Sequence, residues 1–413
     1  MTSPVAKATG ERSSQVKALE SQHVLQTYRR VPVVFTRGEG VYLYDDAGRR
    51  YLDLISGIGV ASLGHANPDL AAALADQART LVHTSNLYYH ELQGRVAAGL
   101  TALSGLSRVF VCNSGTEAIE ACLKFARRFW YTAGDRGRTG FVALEHAFHG
   151  RTMGSLSVTW DEHYRAPFEP LLATVTWVPP GDPAALEAAV SSTTAAIIVE
   201  AVQGEGGIRP VSQEMADAIQ RARGRTGALL IADEVQCGLG RTGVAFGYQR
   251  LSLQPDLVAV GKALGAGMPV GAALVSQPVA SAISYGDHGT TYGGNLLACR
   301  AALVFLEALT TGGLQQHVRE VGAQFGDGLR RLAAAHPVIR EVRGAGLMLG
   351  LDLAVDASPY IDAALERGLL INRTAGTVVR MLPPFVITGA EVDTALALLN
   401  EVFTDVTRQA VAP

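Results

Sequence analysis

Lys262 is the side chain whose surroundings most clearly suggest chemistry. It is the only charged residue between Leu257 and Gly286, whereas a stretch of that length at the overall charged fraction of 18% would hold roughly five charges. Burial disfavours the charged form of a lysine unless a neighbouring group uses the nitrogen. The sequence therefore predicts that Lys262 either grips a phosphate group or forms a Schiff base.

These two uses of Lys262 make different demands on the neighbouring sequence. A phosphate-binding P-loop needs a glycine five positions before the Gly-Lys pair and a hydroxyl after it, but Asp256 and Ala263 stand at these positions. A Schiff base with a ring cofactor needs an acid that keeps the ring protonated. An apolar segment ending in Asp233 lies upstream, so the Schiff base is favoured over a phosphate grip and over a buried, unpaired structural lysine.

A turn of small residues supplies a candidate phosphate site. The turn Asn113-Ser114-Gly115-Thr116-Glu117 follows an apolar segment and opens directly into a helical pattern. Its backbone N–H groups and the hydroxyls of Ser114 and Thr116 suit a phosphate, because a helix N-terminus favours an anion. The same residues would serve equally as a helix cap without a ligand. The turn therefore indicates a phosphate site only in combination with the other motifs.

The segment EHAFHGRT carries two histidines, His146 and His149, at a helix-like spacing. A metal site needs three or four ligands, and no further ligand pair accompanies these two, so we expect no metal. The segment also holds Phe148 and Arg151. An aromatic ring and a cation suit a planar cofactor and a carboxylate.

Composition and charge disfavour several classes of protein. A net charge of −3 at pH 7 with dispersed acids and bases provides no basic face for nucleic acid or an anionic membrane. The N-terminus lacks the apolar core of a signal peptide, and no run of about 18 apolar residues occurs. The four cysteines have no C-x-x-C spacing and are expected to be free thiols of a reducing compartment. These features predict a cytoplasmic protein.

Strands and helices are predicted to alternate through the middle of the chain. The strand candidates are mostly continuous apolar runs, at 108–113, 140–144, 195–202, 228–233, 257–260 and 270–276. Such runs are typical of a sheet, mainly parallel, that is buried on both faces. The pattern therefore predicts an α/β fold.

Two domains are expected from a length of 413 residues. Residues 1–20 are polar and predict a loose arm, which a β-hairpin follows. After a long apolar helix that ends near residue 309, the pattern changes to that of an α+β domain. The predicted division is an N-terminal arm and part of the small domain at 1–67, a large cofactor-binding domain at 68–309 and a C-terminal small domain at 310–413.

Seven motifs together resemble the class-III pyridoxal-phosphate aminotransferases of fold type I, and among them most closely the acetylornithine aminotransferases. They are NSGTEA at 113–118, FHGRT at 148–152, VEAVQGEGG at 199–207, DEVQCGLGRTG at 233–243, GKALGAGMP at 261–269, HGTTYGGN at 288–295 and VVRMLPP at 378–384. The resemblance extends from about Tyr28 to Phe403. It implies a large domain with a mainly parallel sheet between helices, a smaller α+β domain, and pyridoxal 5'-phosphate as cofactor.

The resemblance also gives roles to the matching residues. Lys262 would form the Schiff base with the cofactor and later move the substrate proton, and Asp233 would keep the pyridine nitrogen protonated. The other residues implied to contact the cofactor are Ser114, Gly115, Thr116, Phe148, Val235, Gln236 and Thr291. Thr291 would reach the phosphate in the neighbouring subunit, which implies a homodimer with shared active sites.

Substrate binding is implied to depend on two arginines and an acid. Arg380 would take the α-carboxylate of glutamate and Arg151 its distal carboxylate. An ω-amino substrate has no carboxylate beside its amine, so Glu205 would neutralise Arg380 in that half-reaction. Thr290 is a further candidate for substrate binding.

The implied reaction transfers the δ-amino group of N2-acetyl-L-ornithine to 2-oxoglutarate, which gives N-acetyl-L-glutamate 5-semialdehyde and L-glutamate, as in arginine biosynthesis. Succinylornithine, 4-aminobutyrate, free ornithine and carrier-bound lysine stay open as donors, although free-ornithine enzymes carry tyrosine where this chain has Ile58. An aminomutase of the glutamate-semialdehyde type is a second reading. A non-catalytic cofactor-binding protein is a third.

Overall fold

A computed structural model describes residues 4–411. Within this range the chain forms a seven-stranded sheet whose strands, in spatial order, are Arg108–Cys112, Gly271–Val275, Leu257–Val260, Leu229–Asp233, Thr194–Glu200, Gly140–Leu144 and Val175–Val178. Gly271–Val275 runs antiparallel to both neighbours, and the remaining pairings are parallel. The predicted mainly parallel sheet is confirmed. The edge strand Val175–Val178 was missed, because it is short and only one of its residues is fully buried.

The side chains on the two faces of this sheet belong to two separate hydrophobic clusters. In Thr194–Glu200, Ile197 and Val199 belong to one cluster, and Ala196 and Ile198 belong to the other. Alternate side chains of a strand point to opposite faces, so each face is covered. This double burial explains why the strands read as continuous apolar runs rather than as alternating patterns.

Helices and short turns of 3-10 helix connect and cover these strands. The helices are Pro68–Thr80, Glu91–Ser104, Gly115–Thr132, Met153–Ser157, Glu162–Arg165, Pro183–Ala189, Gln213–Thr226, Gln277–Ser281 and Leu296–Thr310. The 3-10 turns are Ala166–Phe168, Gly247–Leu251 and Lys262–Gly265. Polar side chains cap several N-termini; Asn67, for example, accepts a hydrogen bond from the N–H of Leu70 at 2.9 Å.

The C-terminal part forms an α+β unit, as the change of pattern predicted. Its antiparallel sheet has the spatial order Ile339–Ala345, Met348–Leu353, Val378–Met381 and Asn372–Thr374. The helices Leu314–Ala335, Ser358–Glu366 and Gly389–Val411 pack with it. Arg380 lies on one of the central strands, so this sheet sets the position of a candidate site residue.

The N-terminal segment pairs with the C-terminal part. The antiparallel strands Phe35–Glu39, Tyr42–Asp45 and Arg50–Asp53 are extended by the short strand Leu369–Leu370, which pairs in parallel with the last of them. Further short elements are the helix Ser56–Gly59 and the strand pair Val202–Gln203 and Arg209–Pro210. The boundaries at 67 and 309 stay a prediction.

The expected loose arm is wrong for most of its length. Residues 4–23 form the helix Pro4–His23, while residues 1–3, like residues 412–413, lie outside the described range. The polar composition offers little to bury, but alanine, glutamate, lysine and glutamine all favour helix through the backbone alone.

The most apolar helical stretch is Leu296–Thr310 followed by Leu314–Ala335. Across residues 4–411, no single helix has the length and composition needed to cross a membrane; this pair, bent by 65°, meets the two criteria only when taken together. Phe305 and Phe325, one on each helix, are fully buried in the same hydrophobic cluster.

Candidate active site

The carboxyl ends of the parallel strands meet at one edge of the large sheet. The strands Thr194–Glu200, Leu229–Asp233 and Leu257–Val260 lie side by side there. In open α/β sheets this edge is where ligands bind. The candidate residues lie at these strand ends or in the segments that follow them, so residues far apart in the sequence converge.

A cavity of about 270 Å³ opens at this edge. Nine of the predicted site residues line it: Gly115, Thr116, Phe148, Arg151, Glu205, Asp233, Val235, Gln236 and Lys262. Ser114 and Arg380 do not line the cavity themselves. Ser114 directly precedes Gly115 in the chain, and Arg380 is hydrogen-bonded to Glu205 and Gln236. Three further residues of the wall had no predicted role, namely His149, Gly150 and Glu200.

Asp233 is fixed from two sides. Its Oδ2 accepts a hydrogen bond from Nδ1 of His149 at 2.7 Å, and its Oδ1 accepts one from the N–H of Val235 at 3.0 Å. Asp233 and His149 are each only 3% exposed. A buried carboxylate with these partners has a single orientation. Sequence reasoning missed the role of His149, because its partner lies 84 positions away.

Nε2 of His149 is buried without a hydrogen-bond partner in the described part of the chain. The other histidine of the motif, His146, is exposed, and its ring lies 6.2 Å from that of Trp160. Within residues 4–411, no three His, Cys, Asp or Glu side chains are grouped so that they could hold a metal ion.

Glu200 places a second carboxyl group next to Asp233. The two residues are register partners on adjacent parallel strands, and Glu200 accepts hydrogen bonds from the N–H groups of Phe148 and Gly204, each at 3.0 Å. Burial raises the pKa of Glu200 to about 7, and the charge of Asp233 raises it further, while the neighbouring His149 acts in the opposite direction. Glu200 is therefore largely protonated below neutral pH, which limits the negative charge at the strand ends.

Lys262 begins a 3-10 turn directly after the strand Leu257–Val260. Its φ of 38° is one that non-glycine residues rarely adopt. Burial lowers the pKa of Lys262 to about 8, although the neighbouring carboxylate of Glu205 acts in the opposite direction. A substantial part of the amine is therefore neutral and nucleophilic near pH 8.

The turn before the helix Gly115–Thr132 forms a small polar pocket. Ser114 caps the helix by accepting a hydrogen bond from the N–H of Glu117 at 3.3 Å. The hydroxyl of Thr116 lies 2.8 Å from that of Thr152 and 2.7 Å from that of Ser155. The first N–H groups of a helix have no acceptor within the helix, so this end suits an anion.

Pyridoxal phosphate fits this arrangement of groups. A Cβ on Gly115 would come within 2.5 Å of the Val235 side chain, so only glycine lets the helix start lie this close to Val235. The cavity thus combines an aromatic ring from Phe148, a fixed carboxylate from Asp233, a helix N-terminus and an amine from Lys262. These groups match a planar ring, its ring nitrogen, a phosphate and an aldehyde, respectively.

Arg380 and Glu205 form an ion pair beside this cavity. Nη1 of Arg380 donates to Oε1 of Glu205 at 2.5 Å and to Oε1 of Gln236 at 3.3 Å, and its Nε donates to Asn372 at 3.2 Å. The Arg380 side chain is 1% exposed, and that of Glu205 is 34% exposed. Burial would raise the pKa of Glu205, but the Arg380 guanidinium outweighs it and holds that pKa below its ordinary value. Glu205 is therefore ionised.

Arg151 lies at the exposed border of the cavity. The carbon of its guanidinium is 3.5 Å from the centre of the Tyr164 ring and 5.5 Å from that of Phe148. Cation–π contacts of this kind hold the guanidinium in place while its N–H groups remain available. Tyr164 had no predicted role, because it lies outside the motifs.

Thr290 and Thr291 lie elsewhere in the same chain. They line a separate cavity of about 440 Å³ together with Glu117 and His288. The hydroxyl of Thr290 accepts hydrogen bonds from the side chain of Asn113 at 3.1 Å and from the N–H of Gly293 at 3.2 Å. A single chain therefore does not bring these two threonines to Lys262, and their predicted roles stay predictions.

Comparison with known proteins identifies the family. The family description "Aminotransferase class-III" matches residues 24–403. Acetylornithine aminotransferase from Archaeoglobus fulgidus is 46% identical over 92% of this chain and 98% of its own length, and that from Aquifex aeolicus is 44% identical over 92% and 99%.

Solved structures with the same fold include two aminotransferases. Ornithine aminotransferase from Toxoplasma gondii superposes with a TM-score of 0.92 at 31% identity, over 99% of this chain and 100% of that one. Acetylornithine aminotransferase from Elizabethkingia anophelis superposes with a TM-score of 0.84 at 29% identity, over 95% and 99%. The chain therefore belongs to the class-III aminotransferases, a family of pyridoxal-phosphate-dependent enzymes.

Proposed function

We propose that this aminotransferase moves the δ-amino group of N2-acetyl-L-ornithine to 2-oxoglutarate, giving N-acetyl-L-glutamate 5-semialdehyde and L-glutamate. The observation that carries the proposal is the Arg380–Glu205 ion pair beside Lys262, with Arg151 lining the same cavity. Relatives that are 46% and 44% identical bear the name acetylornithine aminotransferase, which supports this choice of donor.

The ion pair suits an enzyme that must bind two different substrates. When glutamate or 2-oxoglutarate binds, its α-carboxylate replaces Glu205 as the partner of Arg380. When the reacting amine of the ornithine derivative binds, no carboxylate accompanies it, and Glu205 keeps the buried guanidinium neutralised. Arg151 then holds the remote carboxylate of either substrate.

The residues of the cavity have three different roles, which are phosphate binding, protonation of the ring nitrogen and proton transfer. Pyridoxal phosphate, when bound, supplies an electron-withdrawing ring that stabilises the substrate carbon after proton loss. Gly115 and Thr116 hold the phosphate, while Asp233, oriented by His149, keeps a proton at the ring nitrogen. Nζ of Lys262, in its neutral form, would take the proton from the amine-bearing carbon of the donor, and in the second half-reaction it would supply a proton to the carbon of 2-oxoglutarate that becomes the α-carbon of glutamate.

We further propose a homodimer in which Thr291 reaches the neighbouring active site. Leu87, Tyr88 and Tyr89 are 84%, 71% and 105% exposed, and Tyr292, next to Thr291, is 65% exposed. A cluster of exposed apolar side chains is typical of a protein interface. Sedimentation would test the assembly, and a monomer that retains full activity would contradict it.

The proposed setting is arginine biosynthesis in the cytoplasm. The names of the relatives support the pathway. The four buried, unpaired cysteines support a reducing compartment.

Free ornithine is the second candidate donor, because the Toxoplasma gondii structure with a TM-score of 0.92 is an ornithine aminotransferase. Ile58 argues against it. The side chain is 43% exposed and cannot donate a hydrogen bond, whereas the resemblance places tyrosine here in free-ornithine enzymes.

Steady-state kinetics with a panel of donors tests the proposal. We expect kcat/KM for N2-acetylornithine to exceed those for ornithine and 4-aminobutyrate by at least about tenfold. A much higher value for 4-aminobutyrate would overturn the choice of donor. Amine transfer without added 2-oxoglutarate would instead favour an aminomutase.

A further inference from the structure

A second, larger groove adjoins the Lys262 cavity. It has a volume of about 470 Å³ and shares Phe148 and Glu205 with that cavity. One wall carries the rings of Trp160 and Tyr164, and the other is the turn at 373–376 of the C-terminal unit. None of the motifs that resemble known enzymes includes Trp160, Tyr164 or this turn.

Arg151 connects the two spaces. Its guanidinium lines the Lys262 cavity and stacks at 3.5 Å on the Tyr164 ring, which lines the groove. In the proposed function Arg151 holds the α-carboxylate of the donor, and the acylated nitrogen is attached to the same carbon atom as that carboxylate. The acyl group must therefore begin within a few ångströms of the groove wall.

We propose that this groove binds the acyl group of the donor, and that it accepts neutral acyl groups much larger than acetyl, aromatic ones included. The inference rests on the proposed function, because it requires an acylated donor. At about 30 Å³ per water molecule, the groove holds on the order of fifteen waters in its 470 Å³, far more than an acetyl group displaces. The rings of Trp160 and Tyr164 offer faces on which a flat acyl group can stack.

The charges of the groove favour neutral acyl groups over those that end in a carboxylate. Arg373 is already paired with Asp356 at 2.5 Å. Asp161 adds an acid to the lining, and Glu205 is already paired with Arg380. A carboxylate on the acyl group would therefore meet the charge of Asp161, while Arg373 and Arg380 each already have an acidic partner.

Donors with different acyl groups test the groove in the wild-type holoenzyme. We expect kcat/KM for N2-benzoyl-L-ornithine to lie within about threefold of that for the acetyl compound, and that for N2-succinyl-L-ornithine to be at least about tenfold lower. A benzoyl donor more than about a hundredfold worse than acetylornithine would overturn the inference. So would a succinyl donor that matches acetylornithine.

Ala375→Phe narrows the groove without new backbone strain, because Ala375 is exposed and already has a left-handed φ of 48°. We expect kcat/KM for the benzoyl donor to fall by about thirtyfold and that for the acetyl donor by less than about threefold. Val355→Phe, at an exposed valine outside the groove, is the matched control and should change neither. Equal losses for both donors in Ala375→Phe would overturn the inference.

The same experiment separates this inference from the proposed function. If acetylornithine reacts well and benzoylornithine poorly, only the groove inference fails. If neither acylated donor reacts better than free ornithine, the proposed function fails, and the acyl role of the groove fails with it.

Discussion

Two parts of the active site differ in how firmly they are held. At the strand ends, Asp233, His149 and Glu200 are at most 5% exposed and bind one another or backbone N–H groups of the site. At the rim, the Glu205 side chain is 34% exposed, and Arg151 is exposed and held by stacking. The buried part suits a cofactor that stays in place. The rim suits substrates that alternate, because its ion pair can be exchanged for another.

The largest effect is expected from removing the amine of Lys262, which directly follows the strand Leu257–Val260. Lys262→Ala should lower kcat by at least about 10³-fold, because both the covalent attachment and the proton transfer depend on Nζ. Steady-state kinetics with acetylornithine and the absorbance of the bound cofactor would measure it. Lys17→Ala, at an exposed lysine, is the control. Retained turnover in Lys262→Ala would remove this residue from the mechanism.

A change at the rim should separate the two half-reactions. Glu205→Gln should slow the half-reaction with acetylornithine by about a hundredfold, because Arg380 then faces the amine without its counter-charge. The half-reaction with glutamate should change by less than about threefold, since glutamate brings its own carboxylate. Single-turnover absorbance measurements with each substrate give both rates.

Glu341→Gln is the control for Glu205→Gln, because the Glu341 side chain is 57% exposed and paired with Arg343. It should alter neither half-reaction. Equal losses in the two half-reactions of Glu205→Gln would refute the exchange of partners at Arg380.

A smaller effect on kcat is expected from replacing His149, which orients Asp233. His149→Leu should lower kcat by about tenfold, the size expected when a hydrogen bond to a buried charge is lost. It should also shift the pH dependence of the cofactor absorbance, which a purely structural role would not do. His149→Asn, which keeps a donor, should recover part of both. An unchanged pH profile in His149→Leu would show that Asp233 does not need this partner.

The smallest effect concerns the stability of the apoenzyme. The pKa of Glu200 is raised from 4.5 to about 7 by burial, so its contribution to stability is fully present below pH 4.5 and is lost as the pH rises through 7. Glu200→Gln should therefore flatten the fall in unfolding free energy across this window, by at most about 3 kcal/mol. Urea unfolding at pH 5 and pH 7 would measure it. An identical slope in both proteins would contradict the raised pKa.

The sequence predicted the residues at the strand ends better than the residues that contact and orient them. The isolation of Lys262 and the strand end at Asp233 follow from local pattern, as does the mainly parallel sheet. His149, Glu200 and Tyr164 were not predicted, because their importance comes from contacts between distant segments that no local spacing reveals. The helix Pro4–His23 was missed for a different reason, since its mostly polar sequence shows no helical period of apolar residues.

At the rim, the segment EHAFHGRT itself indicated Arg151 as a carboxylate partner. Glu205 and Arg380 were predicted only through resemblance to known enzymes, and the structure adds that these two are in contact. The groove at Trp160 and Tyr164 could not be predicted, because it forms only where a turn of the C-terminal unit faces the large sheet.

The central claim is that burial gives Lys262 a reactive amine within the fixed part of the site. The pH dependence of Lys262 arylation in the apoenzyme, followed by mass spectrometry, tests this most directly. Because burial lowers the pKa of Lys262 from 10.5 to about 8, the rate should be low below pH 7, rise with a midpoint near pH 8 and level off above pH 9. A midpoint near 10.5, the ordinary value for lysine, would contradict the account.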